Sequence, residues 1–236
     1  MSSRFAFTIV CLSLLLSSAN RCASQEDYAE ARRQMVEDDL EGRDIQNPLV
    51  LEAMGKVPRE QFVPLAIRRY AYADHALPIG EDQTISQPYI VALMTQLAEV
   101  TKDDVVLEIG TGSGYQAAVL AEIVSKVYTI EILPSLAETA KRRLAELGYD
   151  NVTCKTGDGY VGWEEHAPFD AILVTAAPPF VPKPLIEQLA PGGILVIPVG
   201  PQNKLQKLLR IEKLPEGGTE TKEVIPVVFV PMVHER

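Results

Sequence analysis

The sequence predicts an α/β fold: a doubly wound, mostly parallel Rossmann-like sheet that ends in an antiparallel hairpin. Three observations predict it. A buried-type strand runs straight into a glycine-rich turn at Val105-Val106-Leu107-Glu108-Ile109-Gly110-Thr111-Gly112-Ser113-Gly114. Strand-like and helix-like segments then alternate, as they do when helices cross over between parallel strands. Acidic residues fall at three successive strand ends, Glu108, Glu131 and Asp158, and open parallel sheets bind ligands outside the carboxyl edges of their strands.

Residues 24–98 form a substrate-side segment ahead of a cofactor-binding core, residues 99–236, within one domain. In the first part, Leu77 to Tyr89 mixes turn residues with hydroxyls, and Ile90 to Leu97 has a helical pattern. On local grounds Thr84 and Ser86 are candidate caps for that helix. The core opens with Val105 to Ile109, apolar enough for a strand buried on both faces. Glycines 110, 112 and 114 let the chain turn sharply and approach a ligand where a Cβ would collide. Gln116 to Ile123 reads as a helix, Lys126 to Glu131 as a second strand, and Pro134 to Leu147 as a helix with Leu136, Ala140, Leu144 and Leu147 on one face. Val152 to Lys155 is a third strand leading into Thr156-Gly157-Asp158-Gly159, and Ala171 to Val174 a fourth. A short helix near Leu185 to Leu189 and the turn Pro191-Gly192-Gly193 precede a fifth strand, Ile194 to Ile197. Gln206 to Ile211 and Val224 to Val230, joined through Pro215-Glu216-Gly217-Gly218, complete a terminal hairpin.

The glycine spacing narrows the ligand class. It is G-x-G-x-G, not the G-x-G-x-x-G of dinucleotide sites, and Glu108 stands two positions before the first glycine. Glu108 repels a pyrophosphate, whereas S-adenosylmethionine has no phosphate and carries an ammonium and a sulfonium. Glu131 lies where such folds place a ribose-binding carboxylate, which accepts both hydroxyls of the diol. Asp158, beside Gly159, is positioned to accept from an adenine amino group.

Composition removes other classes. The chain has 236 residues, 47% of them hydrophobic, and a formal charge of −10, which argues against a sequence-independent grip on nucleic acid or anionic membranes. The pairs Arg32-Arg33, Arg68-Arg69 and Arg142-Arg143 read as solvated helix surface. His75, His166 and His234 are isolated and no cysteine pair is spaced as a ligand set, so no metal site is expected. There is also no G-x-S-x-G elbow. Arg4 followed by the apolar run Phe5 to Leu16 and small residues resembles a secretory signal peptide over residues 1–23. The run is too short for a conventional membrane anchor. Its removal takes Arg4 and Arg21 away, moving the formal charge from −10 to −12, and leaves Cys154 without a disulfide partner.

From about Met35 to Val233 the chain resembles the protein-L-isoaspartate O-methyltransferases, a family of class I S-adenosylmethionine-dependent methyltransferases. The resemblance rests on Met54-Gly55-Lys56-Val57-Pro58-Arg59-Glu60-Gln61-Phe62-Val63-Pro64, on Gln83-Thr84-Ile85-Ser86-Gln87-Pro88, on the glycine turn, on Phe169 to Pro178, and on Phe229-Val230-Pro231-Met232. It implies Ser86 as the active-site residue, Thr84, Ile85 and Val230 as the peptide-receiving wall, and Gly110, Gly112, Gly114, Glu131 and Asp158 as the cofactor site. Two positions depart from the family pattern: Asp82 stands where glycine is usual and Val228 where arginine is common. The implied reaction transfers a methyl group to the side-chain carboxylate of an L-isoaspartyl residue, in peptides and proteins. The ester closes to a succinimide that later hydrolyses partly to normal aspartate. A carboxylate is already ionised near neutral pH, so no general base is needed.

Three alternatives are separable. A small-metabolite methyltransferase shares the glycine turn but not the Thr84-Ile85-Ser86 block. An NAD-dependent oxidoreductase is disfavoured by Glu108 and the spacing. A non-catalytic binding protein keeps the fold, and export makes that reading relevant because S-adenosylmethionine is made in the cytosol. The protein is expected to be a monomer, exported and periplasmic if bacterial, or cytoplasmic if the start is mis-assigned. Amino-terminal sequencing of the native protein, with fractionation, is expected to find a chain beginning between Ala19 and Gln25 outside the cytosol. An intact Met1 species in the cytosol removes the export reading.

Overall fold

The computed structural model describes residues 27–202 and 204–234; the apolar run Phe5 to Leu16 and the expected cleavage region lie outside the described residues. A helix at 27–34 (α1) passes into a π-helical stretch, Met35–Glu41. Helix α2, Pro48–Lys56, follows; Asn47 caps it by accepting from Leu49 N–H (3.0 Å), and Pro48 sits in its first turn. Two 3₁₀ turns, Arg59–Phe62 and Leu65–Tyr70, lead to a small hairpin, β1 (Leu77–Gly80) and β2 (Gln83–Ile85), and then to α3, Pro88–Leu97.

The central sheet contains β3 (Val105–Ile109), β4 (Lys126–Glu131), β5 (Val152–Thr156), β6 (Phe169–Val174), β7 (Leu189–Val199), β8 (Gln206–Lys213) and β9 (Thr219–Val227). Their order is β5-β4-β3-β6-β7-β8-β9. β5 through β7 are parallel, and β8 and β9 add antiparallel. Helices α4 (Tyr115–Ala121), α5 (Pro134–Glu146) and α6 (Lys183–Glu187) make the crossovers. The predicted doubly wound sheet with a terminal hairpin is therefore the observed fold.

Alternation along β3 explains the two-sided core. Val106 packs with residues of α2, α3 and α4 on one face, while Leu107 and Ile109 pack with Ile130, Phe169 and Ile172 on the other. The order reverses at β3, whose neighbours β4 and β6 leave in opposite directions, so the ligand crevice opens at the carboxyl ends of these strands.

Some local expectations needed correction. Thr84 is inside β2, and the residue capping α3 is Gln87, which makes no side-chain capping bond; neither Thr84 nor Ser86 is a helix cap. Pro191-Gly192-Gly193 does not precede the fifth strand but lies within β7: Leu189 pairs with Phe169 and Ile194 with Ala171, so the intervening residues bulge out of the ladder. Leu189 accordingly belongs to this strand and not to the short helix. β9 stops at Val227, and Val230 to Met232 instead join Ala177, through Ala177 N–H to Val230 O (2.8 Å) and Met232 N–H to Ala177 O (3.0 Å).

The hairpin between β1 and β2 gives the Asp82 departure a physical meaning. Its two-residue loop holds Glu81 at φ 51° and Asp82 at φ 54°, the left-handed pair that hairpin turns favour with glycine or asparagine. Asp82→Gly is expected to stabilise the protein by up to about 1 kcal/mol, left-handed strain of about 1–2 kcal/mol being partly offset by greater freedom of the unfolded chain. Urea denaturation checks this, and a less stable variant would show that the Asp82 carboxylate compensates its backbone.

Candidate active site

Local geometry at the end of β3 builds the first cleft. Gly110 (φ +95°) turns the chain, its N–H donating to Ile130 O (2.8 Å), and a Cβ there would come within 2.5 Å of Thr175 Oγ1. Glu131, at the end of β4, is 6% exposed. Its carboxylate accepts from Gly112 N–H (2.8 Å) and from Leu133 N–H (3.0 Å). The cleft beside these groups encloses about 760 Å³, part of it open to solvent, with Ile109, Ile130, Glu131, Gly159, Val230 and Met232 among its walls.

Those walls fit an adenosyl group without phosphates. Each Glu131 oxygen accepts one backbone N–H and keeps a second lone pair, so a ribose diol can be received as well. Isoleucine and methionine side chains offer apolar surface to a base. Among the described residues no lysine or arginine lines this cleft, so a pyrophosphate would meet a carboxylate and none of these cations.

A second cleft lies alongside, lined by Asp74, His75, Ser86, Leu205, Val228 and Phe229 among others. Thr84, Thr175 and Val230 line both clefts and form the wall where they meet. Ser86 is half-buried, and among the described residues its hydroxyl makes no intramolecular hydrogen bond. Its carbonyl is held by Arg59 Nη2 (2.7 Å), while Arg59 Nε donates to Ala71 O (2.7 Å). Asp74 is already engaged, accepting from Arg43 Nη1 (3.0 Å), Gln87 Nε2 (2.6 Å) and Tyr89 N–H (3.2 Å). Gln206 Oε1 accepts from Phe229 N–H (2.7 Å), fixing the segment that carries Val228 to Val230.

Between Ser86 and the glycine turn is a third, smaller cavity, which Ile85, Glu108 and Gln116 also line. Glu108 is fully buried on β3. One of its oxygens accepts from the Thr129 hydroxyl; the other, Oε1, has no partner, and neither does Gln116 Oε1. The Gln116 orientation follows from its neighbours: the Thr95 hydroxyl donates to Val91 O (2.8 Å), so it can only accept from Gln116 Nε2 (2.9 Å), leaving Oε1 as a free acceptor. Burial pushes the Glu108 carboxyl up to about 8, with the Glu131 charge adding to the rise and the Thr129 hydrogen bond opposing it.

The sequence-predicted residues thus divide into groups. Gly110, Gly112, Glu131, Gly159, Thr84 and Val230 line the first cleft. Ser86 faces the second cleft and the small cavity, and Ile85 and Glu108 face the small cavity alone. Gly114 is not on any of these walls: it adopts φ +90° where a Cβ would press on Leu144 at 3.3 Å, so it serves the close approach of α5. Asp158 is also not a lining residue. Its carboxylate caps the following turn by accepting from Tyr160 N–H (2.8 Å) and meets His234 Nδ1 (2.9 Å), while His234 stacks on Tyr160. Sequence reasoning missed Thr175, which lines all three spaces, and the supporting roles of Arg59, Gln116 and Gln206. Thr175 had a readable signal: it directly follows a strand at the ligand-binding edge.

Comparisons with known proteins agree with this geometry. The family model described as protein-L-isoaspartate(D-aspartate) O-methyltransferase matches residues 30–236. The chain belongs to that family. It is 51% identical over 236 aligned positions to a protein-L-isoaspartate O-methyltransferase 2 of Syntrophobacter fumaroxidans, covering 96% of each chain. It is 57% identical to a protein-L-isoaspartate O-methyltransferase of a Synechococcus species, with 89% of this chain and 88% of the relative aligned. A crystal structure of a Plasmodium falciparum protein-L-isoaspartate O-methyltransferase in complex with S-adenosyl-L-homocysteine superposes with a TM-score of 0.73 at 25% identity, over 86% of this chain and 98% of that one.

The buried Glu108 of this family member makes stability depend on pH. Its carboxyl is raised from about 4.5 to about 8 in the folded protein. The folded state therefore holds the proton more tightly, and the contribution is full below about 4.5 and is lost as pH rises towards 8. Glu108→Gln, neutral throughout, should lack this decline, so its stability relative to the parent protein should grow across that interval. Urea denaturation at several pH values checks it; parallel stability curves would mean that Glu108 is ionised in the fold.

Proposed function

We propose that the chain methylates the free carboxylate of L-isoaspartyl residues in damaged peptides and proteins, and so initiates their repair through a succinimide. The observation that carries this reading is the meeting of the two clefts at Thr84, Thr175 and Val230, with the free Ser86 hydroxyl beside the junction. S-adenosylmethionine, when bound, supplies an electrophilic methyl group. Glu131 holds the ribose, Gly110, Gly112 and Gly159 allow close backbone approach, and the apolar side chains of the first cleft take the base. The unpaired oxygens of Glu108 and Gln116 are the complement of an ammonium group beside Ser86.

On the peptide side, the nucleophile is a carboxylate that needs no deprotonation near neutral pH. Ser86 donates a hydrogen bond to one carboxylate oxygen and aims the other. Thr84, Ile85 and Val230 shape the wall, and orientation of two bound reactants can lower a barrier by about 7–11 kcal/mol. The exposed Leu205 and Val228 leave the cleft mouth apolar. The chain acts as a monomer on peptides and not on nucleic acid, a reading its charge of −10 supports. Export, supported by the run that follows Arg4, belongs to the same proposal.

Ser86→Ala is expected to fold, to bind cofactor as the parent does, and to transfer methyl groups to an isoaspartyl peptide at least about tenfold more slowly, a loss of about 1.4 kcal/mol in the transition state. Steady-state kinetics with matched isoaspartyl and aspartyl peptides decide the point. Equal turnover of the two peptides by the parent enzyme would remove the proposed substrate, and unimpaired turnover by the variant would remove Ser86.

A further inference from the structure

Two of the arginine pairs do not behave as independent solvated surface. Arg68, on the 3₁₀ turn Leu65–Tyr70, and Arg142 and Arg143, on α5, converge on one open, polar cleft of about 520 Å³. Gln61 and Thr139 add polar groups to its wall, and among the described residues Glu146 is the one carboxylate there. Glu146 does little to balance the three cations: it stands 3.9 Å from Arg142 Nε with both side chains more than half exposed, a geometry in which ion pairs are weak. The cleft thus carries a local excess of two positive charges on a chain of formal charge −10.

One donor here lacks an acceptor, and a second guanidinium is crowded by like charge. Arg68 Nε is buried and, among the described residues, has no hydrogen-bond partner, which is unfavourable while nothing satisfies it. Arg143 spends one donor on Ser113 O (2.7 Å), at the outer side of the glycine turn. Burial, then the neighbouring Arg142 and Arg68 cations, hold its guanidinium below the ordinary arginine range, with Glu146 opposing. Like charges gathered around an unpaired donor are unfavourable unless an anion joins them.

We propose that this cleft, formed by Arg68, Arg142 and Arg143, binds a phosphate group, separate from the methyl-transfer site. The planar forks of several guanidiniums suit the oxygens of a tetrahedral anion, and the local excess of two charges matches a dianion. Inorganic phosphate and the phosphate of a small ester present the same chemistry. The concave shape and the acidic remainder of the chain favour a small anion over a nucleic acid.

Calorimetric titration of the full chain in phosphate-free buffer, at constant ionic strength set with chloride, tests the site. Inorganic phosphate and glycerol phosphate serve as probes. Saturable binding at millimolar concentrations or below is expected for at least one of them, one per chain, and the tighter of the two identifies the free ion or the ester as the natural source. Arg68→Gln and Arg142→Gln should each weaken it at least about tenfold while keeping the parent's melting temperature and cofactor affinity. Arg142 is exposed, so its variant carries the test if Arg68→Gln does not fold. Absence of saturable binding of either probe, equal binding by Arg142→Gln, or preferential binding of a duplex oligonucleotide at these residues would overturn the proposal.

Discussion

Backbone crowding at the carboxyl end of β3 governs everything built around it. Gly110 donates to Ile130 O on β4, and Thr175 donates to Ile109 O from the end of β6, both at 2.8 Å. The Thr175 hydroxyl lies 2.7 Å from Gly110 O. Three chain segments therefore meet where no side chain can stand, and the fold satisfies this with a glycine in the left-handed region. From that junction the Glu131 carboxylate reaches back to Gly112 N–H, so the same group that walls the first cleft also shapes the turn. Binding surface and backbone support are one structure here, which couples the shape of the cofactor site to the register of the central strands.

Beneath this junction the protein buries polar groups that a purely structural sheet would avoid. Glu108 and Arg59 are both 0% exposed, and each keeps an atom without a partner. Arg59 has no carboxylate within ion-pair distance among the described residues; it instead grips the carbonyls of Ser86 and Ala71 and lies over the Tyr115 ring at 4.7 Å. Burial holds its guanidinium below the usual range. Such placements cost stability, and their common location, on either side of the Ser86 turn, indicates what they secure. Arg59 ties the substrate-side segment to the helix that follows the glycine turn.

Legibility in the sequence followed the range of the interactions. The strand Val105 to Ile109, the glycine turn and Glu131 were readable because burial on two faces and a sharp turn are local demands that leave a local pattern. The antiparallel end of the sheet was readable from the Pro215 to Gly218 loop. What escaped depends on contacts distant in sequence. Thr175 and Val230 meet only because Ala177 pairs beside Pro231, and Arg59 finds Ser86 from 27 positions away. The pair Arg142-Arg143 looks like solvated helix until the turn carrying Arg68 is packed against it. Asp158 shows the opposite case: the carboxylate that strand order assigned to a ligand also accepts a short-range cap from Tyr160 N–H. Pro191-Gly192-Gly193 has the composition of a turn and bends as one, yet pairing on both sides makes it a bulge inside β7.

The charge pattern around the two clefts bears on how a carboxylate can act as nucleophile there. Among the described residues, neither cleft is lined by a lysine or arginine, although such residues are the usual partners of carboxylates in proteins. A guanidinium fork would bind the substrate strongly, but it would also hold the electron density needed for attack. Neutral hydroxyls such as those of Ser86 and Thr84 offer hydrogen bonds without a full positive charge, and so withdraw less electron density from a carboxylate than a guanidinium fork does. Asp74, the acid in the second cleft, is occupied by Arg43, Gln87 and Tyr89 and is not free to repel an incoming carboxylate. With protein cations kept away, the strongest attraction open to the substrate carboxylate is to a positively charged methyl donor, and a partly desolvated junction strengthens that attraction relative to water. The arginines that the chain does concentrate, Arg68, Arg142 and Arg143, line neither of these clefts; Arg143 reaches the glycine turn only through the Ser113 carbonyl.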